Sequence, residues 1–174
     1  MVLTKRISKR RSFTKDAPPD PVFFVDADLS DSIFHETLAR AGIRFERHDD
    51  HFAQGTDDWD WLAKAGRQGW VVLSHNKRIR IESAQTDRLM EAGVRAFMLI
   101  GHAGPNPPGE HSVFTRSLAE NVVRTLPVIR RFLRRRPAPW IAKLYRPAVI
   151  LPGQELSPGK IQMWLTMQQW LKER

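Results

Sequence analysis

Residues 22–29 read VFFVDADL, an uninterrupted apolar run that ends in two aspartates, Asp26 and Asp28. A short continuous run rich in β-branched and aromatic residues is typical of a strand buried on both faces of a parallel sheet. Open α/β sheets bind their ligands beyond the carboxyl ends of the strands, which is where both aspartates lie. Two carboxylates this close repel one another, so they indicate a divalent metal ion or another cation between them.

The length and composition predict one soluble domain. The chain has 174 residues, of which 41% are hydrophobic, enough for an ordinary core. It contains no cysteine, which excludes disulfides and thiolate metal sites and fits a reducing compartment. No apolar run reaches membrane-spanning length, and the basic first twenty residues lack the apolar region of a signal peptide. We therefore expect a cytoplasmic protein without membrane contact.

Charge is unevenly distributed along the chain, whose formal net charge is +9. Acidic residues concentrate between Asp20 and Asp60, whereas residues 121–154 contain Lys and Arg but no acid. This division suits an enzyme acting on a phosphate polymer, with metal ligands inside and phosphate contacts outside. The plain alternative is a solvated, Arg-rich helix face.

Strand and helix patterns alternate along residues 22–100. Strands are predicted at 22–25, 43–47, 70–74 and 94–100, each of the first three followed by a helical pattern. This alternation predicts an α/β fold with a central, mostly parallel sheet and helices on both faces. A long helix is predicted over 110–136, a further strand over 140–145 and a last helix from Ser157. Residues 1–21 are expected to be a basic, flexible tail, and residues 22–174 a single domain with an Arg-rich, helical C-terminal half.

Three points on the chain bring polar side chains to the carboxyl edge of the predicted sheet. Asp26 and Asp28 follow the first strand, Asp57 and Asp58 open the helix after the second, and Asn76 follows the third. Oxygen ligands suit Mg²⁺ or Mn²⁺, which would activate water and neutralise charge on a phosphodiester. Taken alone, Asp57 or Asp58 is more simply explained as a helix N-cap.

Three stretches together resemble a known family. They are VFFVDADL, the segment HDDHF at 48–52, and the run from Asp58 to Ile79. They resemble the PIN-like domains related to VapC toxins, closely over about residues 22–100 and more loosely beyond. The resemblance implies a single PIN-like domain that acts as a metal-dependent endoribonuclease, hydrolysing RNA phosphodiester bonds as the toxin component of a VapBC-like toxin–antitoxin system. The partners it implies are RNA and a small antitoxin protein, and a homodimer is a further expectation.

The resemblance also assigns roles to individual residues. Asp26 matches the first family acid, Asp28 its near neighbour, and Asp58 the middle acid, with Asp57 as the register alternative. Asn76 stands where the family usually has an aspartate. The expected metal ligands are therefore Asp26, Asp28, Asp58 and Asn76, and the expected catalytic residues are Asp26, Asp58 and Asn76. An amide oxygen coordinates a cation but adds no negative charge, so weaker metal binding and reduced catalysis are expected.

Basic residues in two places are predicted to contact RNA phosphates. Lys77 and Arg78 lie directly after the amide at position 76, and Arg131, Arg134 and Arg135 form a stripe on the long helix.

Other interpretations stay open beside the nuclease. A PIN-like module that binds RNA or a partner without catalysis fits Asn76 and the basic second half. A haloacid-dehalogenase-type phosphatase shares a strand ending in Asp-x-Asp and a later strand ending in Ser, but the late acidic pair of that family is missing. A zinc site at His48 and His51 matches no known ligand spacing, so an exposed loop is expected there.

Overall fold

One sheet organises the molecule. The computed structural model describes residues 19–80, 82–101, 111–147 and 157–174. Within these residues the strand order is β2-β1-β3-β4-β5-β6, and every neighbouring pair is parallel except β5 and β6. The predicted α/β class with a mostly parallel sheet is confirmed. The strands are β1 (Phe23–Val25), β2 (Phe45–Arg47), β3 (Val71–Ser74), β4 (Arg95–Ile100), β5 (Trp140–Tyr145) and β6 (Lys160–Thr166).

Helices cover both faces of the sheet. Helices α1 and α5 pack on one face, and α3 and α4 pack on the other. The helices are α1 (Ser32–Arg40), α2 (His48–His51), α3 (Asp58–Gln68), α4 (Ser83–Glu91), α5 (His111–Arg135) and α6 (Met167–Lys172), with 3₁₀ turns at Ala27–Leu29 and Lys77–Arg80. No helix of the described segments is both long and apolar enough to cross a membrane.

Strand β1 is apolar on both sides because helices bury both of its faces. Phe23 and Val25 point into the core under α1 and α5, while Phe24 points to the opposite core. The Phe24 ring stacks on Trp61 and Trp70 at centroid distances of 5.2 and 5.6 Å. Alternate strand residues face opposite sides, so a doubly covered strand needs an apolar residue at every position. Each such side chain contributes about 1.5–3 kcal/mol when buried.

Carboxylate caps fix where two helices begin. Asp31 accepts a hydrogen bond from the Ile33 N–H at 3.0 Å, and Asp57 accepts one from the Trp59 N–H at 2.9 Å. Each bond satisfies a donor that the first helical turn leaves unpaired. The N-cap interpretation of Asp57 is thereby confirmed, and Asp58 becomes the first residue of α3.

Two sequence predictions about local structure are wrong. Residues 48–51 form helix α2 rather than a loop. The segment from Lys160 to Thr166 is strand β6 rather than part of a helix, and only Met167–Lys172 is helical. Pairing with β5 overrides the helical spacing of the apolar residues in β6. Residues 1–18 of the tail predicted over residues 1–21 lie outside the described residues, as do residues 102–110.

A buried polar connection ties the start of β6 to α5. The Thr125 hydroxyl accepts the Gly159 N–H at 2.7 Å and lies 3.4 Å from the Asn121 side-chain oxygen. The Asn121 amide in turn donates to the Tyr145 carbonyl at 3.3 Å. Because these groups are buried, each hydrogen bond replaces one that water would otherwise provide.

Candidate metal centre

Two carboxylates meet at the carboxyl edge of the sheet. Asp26 directly follows β1 and is 8% exposed, and its side chain accepts the Ala27 N–H at 2.7 Å. Asp28 lies in the 3₁₀ turn that follows, and its carboxylate accepts the His75 N–H at 2.8 Å. Because β1 and β3 are neighbouring parallel strands, their carboxyl ends lie side by side. The turn after β1 therefore folds Asp28 back onto the end of β3.

Ionisation of this pair is unfavourable. Burial raises the pKa of Asp26, although hydrogen bonds from Ser74 and Ala27 and the nearby His48 oppose the shift. Desolvation, followed by the Asp26 charge, raises the pKa of Asp28 to about 8. Asp28 is exposed as a residue, but its carboxyl group lies against Asp26 and Ser74, so that group is less hydrated than the residue as a whole. The pair therefore needs a proton or a cation.

Ser74 is a site residue that the sequence prediction missed. Its side chain is fully buried at the end of β3, and its hydroxyl lies close enough to Asp26 and Asp28 to oppose the rise in the pKa of either carboxyl group, with one proton to donate between them. It also accepts the Asn76 N–H at 3.1 Å. A hydroxyl that ends the strand next to β1 was the available signal, because neighbouring parallel strands end at the same edge.

Asn76 caps the next turn. Its side-chain oxygen accepts the Arg78 N–H at 2.9 Å, at the start of the 3₁₀ turn Lys77–Arg80. The described hydrogen bonds of Asn76 thus stay within Ser74–Arg78, one strand end away from Asp26. Its assignment as a metal ligand stays a prediction.

Asp58 lies near the pair but is held by other groups. One carboxylate oxygen accepts the Trp61 indole N–H at 3.1 Å, and the other is 3.8 Å from the Arg88 guanidinium. Its charge is nevertheless close enough to contribute to the raised pKa of Asp26. Asp57, the register alternative, caps α3 and also lies 3.8 Å from Arg88. Asp58 is thus the better candidate for the middle acid.

The residues at this edge fit a hard divalent cation. In the described segments no three Asp, Glu or His side chains converge as a ready-made metal-binding group. The donors that do meet are two carboxylates and the Ser74 hydroxyl. Mg²⁺ and Mn²⁺ keep several waters when one or two carboxylates bind them. A cation here would also relieve the repulsion that raises the pKa values of Asp26 and Asp28.

An open cleft of about 440 Å³ lies beside the pair. It is lined by residues on either side of Asp28, by α2 and by the segment that follows: Ala27, Ser30, His48, Asp49, Phe52, Ala53, Gln54 and Gly55. His48 is only 5% exposed, and its ring contacts Phe24, Phe52 and Trp61 with centroids 5.5–6.2 Å apart. The expected exposed position of His48 is therefore wrong.

His51 has a different environment. Its Nε2 atom lies 2.6 Å from the Glu46 carboxylate, and its Nδ1 atom lies 2.8 Å from the Lys64 ammonium. Both ring nitrogens are engaged, and no shared zinc site with His48 forms in the described structure.

The predicted RNA-binding residues separate into two places. Lys77 and Arg78 are exposed on the turn next to the carboxylate pair. Arg131, Arg134 and Arg135 are exposed at the far end of α5. This helix follows β4 and leads back to the start of β5, so its last turns lie at the amino edge of the sheet. A 25-residue helix is about 37 Å long, which separates these arginines from the carboxylate pair.

The part of the chain that contains the first four strands is similar to a known protein family. Residues 21–101 match a family model described as a PIN-like domain. The PIN-like domain predicted from the sequence is thus supported over this segment, which contains Asp26, Asp28, Asp58 and Asn76. No curated protein and no solved structure matches the chain. A specific relationship to VapC toxins stays a prediction.

Proposed function

We propose that the chain is a metal-dependent endoribonuclease that hydrolyses RNA phosphodiester bonds, with Asp26 and Asp28 as the principal metal ligands. PIN domains are generally metal-dependent nucleases. The observation that carries the proposal is the contact between two carboxylates at the carboxyl edge of the PIN-like segment, both with raised pKa. A cation bound by these carboxylates would offset the desolvation and the mutual repulsion that raise both pKa values.

Each residue of the site has a physical role in this reaction. The Ala27 N–H and the Ser74 hydroxyl fix the orientation of Asp26, and the His75 N–H fixes that of Asp28. When bound, Mg²⁺ or Mn²⁺ supplies charge neutralisation at the phosphodiester and activation of a water molecule. Asp58 adds negative charge at the rim of the site.

The turn after β3 brings positive charge to the substrate. The Asn76 side chain caps this turn, so Lys77 and Arg78 lie at its exposed surface beside the pair. Lysine and arginine at such a position contact backbone phosphates and hold the polymer across the site. Asn76 therefore contributes as a positioning residue, whether or not its oxygen also reaches the cation.

The cleft favours a single-stranded substrate. The partly exposed ring of Phe52 lines it beside the turn that carries Asp28. Planar rings accept unstacked bases, which are exposed in loops and single strands but not in duplex RNA. We therefore propose single-stranded RNA or a looped-out segment as the substrate.

The biological setting is a further part of the proposal. The resemblance of residues 22–100 to the relatives of VapC toxins supports a cytoplasmic toxin that is paired with a small antitoxin protein and forms a homodimer. A neighbouring reading frame that encodes a small DNA-binding protein, and that suppresses toxicity when co-expressed, would support this role. Growth that is unaffected by expression of the chain alone would contradict it.

A non-catalytic RNA- or partner-binding module is the second candidate. Two observations favour it: the Asn76 oxygen is used within its own turn, and Asp58 is bound to Trp61 and lies near Arg88. These contacts leave two of the four expected ligands, the carboxylates of Asp26 and Asp28, free to hold a cation.

A cleavage assay decides between the two candidates. The full chain is incubated with labelled single-stranded RNA and Mn²⁺, with Asp26→Asn as the test variant and Asp60→Asn as the control. Asp60 is an exposed acid in the first turn of α3, so it matches the charge change away from the site. Asp26→Asn should reduce the rate by about a hundredfold or more, and the control by less than about threefold. RNA binding without any metal-dependent cleavage by the parent chain would favour the module.

A further inference from the structure

A second charged site lies at the amino edge of the sheet, opposite the carboxylate pair. A small pocket of about 140 Å³ opens there between the start of β4, the last turns of α5 and the segment that precedes β1. Three arginines line it: Arg95 from β4, and Arg130 and Arg134 from α5. The remaining lining residues are Pro19, Asp20, Pro21 and Leu133.

Positive charge in this pocket exceeds negative charge. Asp20 is its single carboxylate, and one of its oxygens lies 2.9 Å from the Arg130 Nε atom. Arg95 donates to the Gly69 carbonyl at 2.9 Å, which orients the guanidinium but neutralises no charge. Arg134 is exposed and has no ion-pair partner among the described residues. Three guanidinium groups therefore face one carboxylate, which leaves an excess of two positive charges.

The arginines are also held in place. Arg130 and Arg134 are one helical turn apart on α5, so their side chains leave the same face of the helix. Arg95 is partly buried, and burial lowers the pKa of its guanidinium without removing its charge near neutral pH. A planar guanidinium presents donors in a fork that matches two oxygens of one phosphate.

We propose that this pocket binds a phosphate group, and that in the working protein this group belongs to a nucleic-acid backbone. Exposed Arg131, Arg135 and Arg136 continue the positive surface from the pocket around the end of α5. A nucleic-acid backbone carries several phosphates, so it can contact these further arginines as well as the pocket. A single free phosphate can contact only the pocket. The inference goes beyond the proposed nuclease, because the pocket lies at the other edge of the sheet and needs no catalysis.

A purely structural role would give a different outcome on removal of Asp20. In that role the ion pair between Asp20 and Arg130 only fastens the segment before β1 to α5, together with the bond from Arg44 to the Asp20 carbonyl. Asp20→Asn would then loosen this segment and create no affinity for anions. In the proposed role the carboxylate competes with the ligand, so Asp20→Asn should tighten phosphate binding.

The test titrates the full chain with inorganic pyrophosphate by calorimetry and with a labelled RNA oligonucleotide by fluorescence anisotropy over a salt series. Arg134→Ala is the test variant, because an exposed arginine can be removed without disturbing the core. Arg40→Ala, at an exposed position of α1, is the control with the same charge change. Arg134→Ala should weaken pyrophosphate binding about tenfold, and Arg40→Ala less than about twofold.

The second measurement is RNA binding. Arg134→Ala should lower the slope of log K against log salt by about 0.7–0.9, and pyrophosphate should displace RNA from the parent chain. Pyrophosphate binding that depends on Arg134 but does not compete with RNA would support the phosphate pocket and assign it to a free anion instead. Equal effects of the two arginine variants, or weaker binding by Asp20→Asn, would overturn the proposal.

Discussion

Replacing Asp28 with asparagine should stabilise the protein in alkaline, metal-free solution. The pKa of Asp28 rises from 3.8 to about 8 on folding, with desolvation as the first cause and the Asp26 charge as the second. Between these two pH values the folded state holds a proton that the unfolded state releases. The contribution of Asp28 is therefore fully favourable below about pH 4 and is lost as the pH rises through about 8.

The size of the effect follows from the surroundings of the carboxyl group. Asparagine keeps an oxygen that can accept the His75 N–H, but it carries no charge to desolvate. Each pKa unit corresponds to about 1.4 kcal/mol, and solvent screening of an exposed residue reduces that value strongly. After this reduction we expect Asp28→Asn to raise the free energy of unfolding by about 1–2 kcal/mol at pH 8, and to change it little at pH 4.

Urea denaturation with a chelator present measures this difference. The parent chain, Asp28→Asn and the control Asp60→Asn are compared at several pH values between 4 and 8, the window set by the Asp28 pKa. The control should stay within about 0.5 kcal/mol of the parent throughout. Added Mn²⁺ should stabilise the parent more than Asp28→Asn, because the ion binds the folded pair. An Asp28→Asn protein that is less stable than the parent at the alkaline end would refute the reasoning.

Three other changes test the fold and the site. Gly66→Ala should destabilise the protein by about 2–3 kcal/mol in thermal or urea unfolding, because the new Cβ would lie 2.0 Å from the Ala92 carbonyl oxygen. Thr125→Val should cost about 1–3 kcal/mol by leaving the buried Gly159 N–H without its acceptor, whereas Thr125→Ser should recover most of the loss. Asn76→Asp should tighten Mn²⁺ binding in a titration, because it adds negative charge beside the pair; an unchanged affinity would place residue 76 outside the site.

Much of the fold could be predicted because local pattern and tertiary environment agree over residues 22–100. The apolar run in β1 reflects burial on both faces, and the position of Asp26 follows from where that strand ends. Helix α2 was missed because four residues carry no periodicity. The burial of His48 depends on packing against Phe24 and Trp61, which other elements of the fold supply, as well as against the nearby Phe52.

The secondary structure of the C-terminal half was harder to predict because β6 forms a strand only by pairing with β5. The apolar residues of β6 fit a helix as well as a strand, and only pairing with β5 selects the strand. The position of the Arg-rich helix end was not predicted, although topology carries it, since a helix between parallel strands must return to the amino edge. At the site, the carboxylate pair could be predicted from the one-residue spacing of two aspartates after a strand. The role of Ser74 could not, because it depends on β1 and β3 ending side by side.

Calorimetric titration of the full chain with Mn²⁺ at neutral pH tests the metal centre most directly. The pKa of Asp28, raised to about 8, means that the pair still holds a proton at neutral pH, so a cation must displace it. We expect one Mn²⁺ per chain, with an apparent enthalpy that changes with the ionisation enthalpy of the buffer, and we expect both signals to be lost in Asp26→Asn. A parent chain that binds no Mn²⁺, or an Asp26→Asn variant that binds it as tightly and with the same proton release, would contradict the assignment of this edge as a metal centre.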